Sequence, residues 1–101
     1  MLDLTREDSG GTRAVEVGDR IVITLPERPT TGYRWAPDVD PAALRQIDDQ
    51  YEGTTQPIGA AGTRTLTFEV VALPAVLRLV EARSWERGAF TDEVVINLVS
   101  A

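Results

Sequence analysis

The chain has 101 residues, no cysteine, no histidine, and sixteen acidic against ten basic side chains, for a net charge of −6. That length suits one domain with a real core, residues 1–101, and the missing residue types exclude disulfide staples, cysteine–histidine metal sites, thiol nucleophiles and imidazole base catalysis together. The acidic balance argues against nucleic acid or an anionic membrane as the main partner. All ten basic residues are arginine, which we read mainly as codon bias, although arginine also suits interfaces.

In chain order, Met1-Leu2-Asp3-Leu4-Thr5 has neither a basic leader nor an apolar signal core, and no run approaches the ~18 apolar residues of a membrane span, so a soluble chain is expected. Two outcomes stay open for residues 1–12: Leu2 and Leu4 form an added edge strand, or they fray behind Ser9-Gly10-Gly11. Val15 and Val17 flank Glu16, Gly18-Asp19 supplies a turn, and Ile21, Ile23 and Leu25 resume the alternation up to Pro26. This pattern predicts a hairpin of strands 13–17 and 20–25 with one buried face. A strand over 33–36 carries Trp35, placed in the core where immunoglobulin-like sandwiches hold an aromatic. Asp40 as N-cap and Pro41 in the first turn allow one helical turn within 41–46. Strands follow over 44–52, 63–72 (Leu66, Phe68 and Val70 on one face), 76–82 after the break at Leu73-Pro74, and 93–99 (Val94, Ile96 and Leu98 on one face). The whole reads as an all-β, immunoglobulin-like β-sandwich of seven or eight mostly antiparallel strands.

If each of those seven strands reverses the one before it, three loops emerge at one end. The first is Arg28-Pro29-Thr30-Thr31-Gly32-Tyr33, stiffened by proline and β-branched threonine, with a glycine free to turn. The second runs through Ile58-Gly59-Ala60-Ala61-Gly62-Thr63; it lacks the lysine and following helix of a phosphate cradle, and its small residues admit close backbone approach. The third holds Arg83-Ser84-Trp85-Glu86-Arg87-Gly88, where Trp85 sits among polar residues like an interface anchor. The opposite end has plainer turns. Functional loops are commonly mounted on a rigid scaffold in this way.

The carboxylate pairs Asp38 and Asp40, Asp48 and Asp49, and Asp92 and Glu93 have no apolar setting to split their pKa values, and read as a solvated acidic surface. Ser9, Ser84 and Ser100 have no histidine to activate them.

Taken together, Pro-Thr-Thr-Gly-Tyr, Gly-X-X-Gly-Thr and Arg-X-Trp, in that order from about Val15 to the C-terminus, resemble the chagasin family, inhibitors of papain-like cysteine peptidases from protozoa and bacteria. The resemblance implies an immunoglobulin-like sandwich that acts as a reversible, non-covalent plug and has no catalytic residues. It places the Pro29–Gly32 turn over the target's catalytic cysteine, Thr31 nearest, Ile58 to Thr63 along one side of the cleft, and Trp85 on an aromatic at the other side, with Arg83 supporting. Three features depart from the family pattern: Arg28 stands where asparagine is usual, Ser84 where proline is usual, and the pair Ala60-Ala61 lies within a run that is normally richer in glycine. Ser84 leaves the free loop more conformations, a cost of a few tenths to about 1 kcal/mol of pre-organisation.

The expected partner is therefore a papain-like cysteine peptidase, met by a monomer without cofactor, metal, nucleic acid or membrane. Arg28, Arg34, Arg83 and Arg87 would give the loop end a positive field on an otherwise acidic molecule, favouring acidic protease clefts. The competing class is an immunoglobulin-like adhesion or assembly module with a non-protease partner; a carboxylate-dependent hydrolase is a distant third.

Overall fold

The computed structural model describes residues 1–27, 33–53, 62–83 and 92–101, with Arg83 described by its backbone alone. Among the described residues eight strands run in chain order: β1 (Leu2–Thr5), β2 (Thr12–Val15), β3 (Arg20–Glu27), β4 (Tyr33–Pro37), β5 (Leu44–Glu52), β6 (Gly62–Val70), β7 (Ala75–Arg83) and β8 (Asp92–Ser100). A 3-10 turn, Arg6–Asp8, separates β1 from β2. The strands form two four-stranded sheets, ordered β1-β3-β6-β5 and β2-β8-β7-β4.

Period-two alternation of apolar residues builds the inner faces. Ile21, Ile23 and Leu25 of β3 and Leu66, Phe68 and Val70 of β6 meet Leu77 and Leu79 of β7 and Val94, Ile96 and Leu98 of β8 in one buried cluster. Trp35, expected in the core, is 4% exposed. Its indole Nε1–H donates to the carbonyl of Pro26 at 2.8 Å, so the buried ring keeps its polar atom satisfied.

The sequence expected residues 13–17 and 20–25 to pair as a hairpin, and they do not. β3 already has β1 on one edge and β6 on the other, so β2 has no open ladder there and pairs parallel with β8 in the other sheet. The Gly18-Asp19 turn is real, with Gly18 at φ +95°, but it crosses between sheets, and Val17 is 63% exposed. The helical turn ends quickly: Ala43 and Leu44 both donate to the carbonyl of Asp40 at 2.9 Å, after which β5 begins. The N-terminal ambiguity resolves as an edge strand, β1, parallel to β3 with Leu2 opposite Ile21 and Thr5 opposite Thr24.

Candidate functional site

Strand register decides where the three candidate loops start and finish. Glu27 lies opposite Gly62 and Glu52 opposite Thr63, so β3 ends, β5 ends and β6 begins at one end of the first sheet. Tyr33 lies opposite Arg83 and Glu81 opposite Asp92, which puts the start of β4, the end of β7 and the start of β8 together in the second. A hydrogen bond between the sheets joins the two groups: the Trp35 backbone N–H donates to the Glu27 carboxylate at 2.8 Å. The connections 28–32, 53–61 and 84–91 therefore depart from one pole of the sandwich.

Of the residues singled out from sequence, Arg28, Pro29, Thr30, Thr31, Gly32, Ile58, Gly59, Ala60, Ala61, Ser84 and Trp85 lie outside the described residues, as does Arg87. Those within them sit at the stems. Tyr33 opens β4 half-buried, Thr63 is exposed near the start of β6, and Arg34 is exposed on β4. Gly62 is buried where β5 and β6 approach closely; a Cβ there would run into the Tyr51 hydroxyl and come within 2.6 Å of the Glu52 carbonyl oxygen.

Beneath these stems lies a polar cluster that the sequence reading missed. Glu27 continues the inward series Ile21, Ile23, Leu25 and is 1% exposed; Arg64 continues the inward series of β6. The guanidinium grips both oxygens of the Glu27 carboxylate, with Nε at 3.1 Å from Oε2 and Nη2 on Oε1, and its Nη1 donates to Asp49 at 3.0 Å. The Tyr51 ring lies 5.2 Å from the guanidinium carbon, in the range of a cation–π contact. The Glu27 hydrogen bonds, foremost, and the one to Asp49 raise the Arg64 pKa further, so this arginine stays charged despite partial burial. The available signal is the two-residue period itself, which puts a glutamate at the next inward position, although Pro26 reads locally as the end of that strand. Proline is tolerated here because β1 stops opposite Thr24, leaving β3 an edge beyond it.

A register shift between Gln46 and Asp48 brings the rest of the cluster together. Before it, Leu44 shares a face with Val70; after it, the extra residue changes the parity of β5, and Asp49 and Tyr51 share a face with Leu66 and Arg64.

The other acidic pairs are engaged with arginine. Arg78 bridges Asp38 and Glu93, and Arg6 binds Asp92. The Arg6 hydrogen bond, as the main cause, holds the Asp92 carboxyl below the ordinary range. A cleft of about 620 Å³ lined by Pro74, Val76 and Val99 together with Asp38, Asp40 and Arg78, among others, lies away from the loop stems.

Comparison with known proteins agrees with this architecture. No curated protein sequence matches the chain. Among solved structures, the cysteine protease inhibitor EhICP2 from Entamoeba histolytica superposes with a TM-score of 0.87 at 21% identity, covering 99% of this chain and 95% of that one. Amebosin, solved in solution, gives a TM-score of 0.70 at 21% identity over 99% and 97% of the two chains. PbICP-C, in a structure of its complex with falcipain-2, gives 0.66 at 11% identity over the full length of both. At such identities the likeness is one of fold. The family model for the chagasin family of peptidase inhibitors, I42, matches residues 14–98, and the chain belongs to that family.

Proposed function

We infer that the protein is a reversible, non-covalent inhibitor of papain-like cysteine peptidases, a binding protein and not an enzyme, which fills the active-site cleft with three connections from one pole of its sandwich. The observation that carries this reading is membership of a peptidase-inhibitor family over residues 14–98, joined to a register that gathers all three pairs of stems at one end. The complex of PbICP-C with falcipain-2 supports a peptidase of that kind as the partner. In this reading Pro29, Thr30, Thr31 and Gly32 cover the catalytic cysteine with Arg28 and Tyr33 at their base. Residues 58–63 line one wall of the cleft, and Trp85, backed by Arg83 and Ser84, anchors the other. Ten arginines without lysine fit a coding sequence rich in G and C, and a bacterial source is part of the same proposal.

Such inhibition requires no reaction by this chain. An interface of standard size buries ~1,600 Å², and its affinity depends on how little order must be gained on docking. Titration of papain and a cathepsin L-like enzyme is expected to give saturable inhibition. Trp85→Ala should weaken it by at least ~30-fold, the effect of losing a hot spot of about 2 kcal/mol, and Thr31→Ala by less. Wild-type protein that leaves both proteases untouched at micromolar concentration sinks the assignment.

A further inference from the structure

Directly beneath the two connections that leave the first sheet, the core ends in charge. Glu27 and Arg64 occupy inward positions that an apolar pair of similar volume could fill, and among the described residues the bonds of their side chains end on stems: Glu27 at the end of β3, Trp35 at the start of β4, Asp49 near the end of β5 and Arg64 at the start of β6. The Tyr51 hydroxyl, 3.5 Å from the Glu27 carbonyl oxygen, adds a weak fifth tie, and Gly62 lets β5 and β6 close on each other at that point. Apolar contacts are non-directional, whereas a guanidinium fork on a carboxylate fixes both distance and angle. Replacing a buried ion pair with apolar residues is often neutral or stabilising, so stability alone is a poor reason for placing one here.

We propose that Glu27 and Arg64 are positioning residues: with Asp49 and Tyr51 they form a clamp that fixes where residues 28–32 and 53–61 leave the sheets, and thereby the affinity for the protease. The effect on affinity rests on the inhibitor reading; the clamp itself does not.

The decisive variant is Glu27→Gln/Arg64→Met, which keeps an acceptor for the Trp35 N–H and the buried volume while removing the fork and its charges. It is expected to melt close to wild type yet to raise the inhibition constant for papain about tenfold or more, through lost pre-organisation. Val70→Ala, at the far end of β6, is the control: it should lower the melting temperature and leave the inhibition constant unchanged. Arg64→Lys keeps the charge and loses the fork; it should weaken inhibition in the same direction, and it decides the matter if the double variant does not fold. Inhibition within twofold of wild type in the folded variants, or an equal loss in Val70→Ala, overturns the proposal. A second measurement needs no protease. Amide exchange at Trp35 should accelerate about tenfold or more in the variant while that of Val70, bonded to the Asp19 carbonyl at 2.9 Å, stays as in wild type, because local opening is set by local contacts. Unchanged exchange at Trp35 refutes the clamp. Faster exchange in a protein that inhibits no protease supports the clamp and sinks the inhibitor reading instead.

Discussion

Single side chains at the loop-bearing pole are held by charge, and the consequences can be measured one residue at a time. Truncating Glu27 would leave the half-buried Arg64 with Asp49 as its carboxylate partner among the described residues, a loss of up to about 3–5 kcal/mol, the range for breaking a buried pair; an exposed pair such as Arg45–Glu69 contributes at most about 1 kcal/mol. The acid limb of stability should come in part from Asp8 and Asp92. Both carboxyls are held below their ordinary value of 3.8, Asp8 chiefly by the Thr5 backbone N–H and Asp92 chiefly by Arg6. A lowered folded-state pKa means that the stabilisation is complete above the unfolded value and is lost as pH falls through the folded one. Melting temperature is therefore expected to drop below pH ~4, and Arg6→Gln should flatten that drop; an equally steep acid limb in the variant would contradict the assignment to Asp92. At this scale Trp35 was legible from sequence, by its place at the start of a strand. Glu27 was half-legible: its parity marked it as inward, but a proline one residue earlier masked the continuation. Arg64 could be recognised only once a partner was known to face it.

Strands as units show where pattern reading succeeds and where it fails. The alternation in β3, β6, β7 and β8 located those strands to within two residues because a half-buried sheet imposes the period of two directly on the chain. Pairing is another matter. Residues 13–17 and 20–25 had everything local that a hairpin needs, yet β2 joined β8, since β1 and β6 had taken both edges of β3. The bulge in β5 left no mark in composition either, although it decides which side chains reach Arg64. β1 itself contributes Leu4, which is 1% exposed, so the N-terminal segment is part of the core and not an ornament. Leu4→Ala is expected to lower unfolding free energy by about 2–4 kcal/mol, the usual range for emptying a buried leucine site, read as a shift of the urea midpoint; a change below about 0.5 kcal/mol would show that β1 is dispensable to the fold.

For the molecule as a whole, the separation of poles organises function. One end carries the three connections, the other the turns through Gly18 and Pro74, and the chain as a whole bears a net charge of −6. Arg64 and Arg78 are committed to internal partners, so any positive field at the loop end must come from other arginines, Arg34 among the described residues. If that field steers the inhibitor toward an acidic cleft, the association rate constant should fall as ionic strength rises from about 0.01 to 0.15 M, where the screening length shortens from roughly 30 to 8 Å; a rate independent of salt would remove steering from the account. The amino-acid order by itself determined the class of fold, the strands of the core, the absence of thiol and imidazole chemistry, and the set of motifs that mark the family, because each of these is local: a period, a missing residue type, a short run of turn formers. Only the tertiary structure decided that β1 and β2 pair in different sheets, and that a carboxylate and a guanidinium from separate strands lock together beneath the loop stems. Those outcomes depend on which edges are free and which faces meet after long stretches of chain have folded back, and short-range sequence does not encode that competition in any one place.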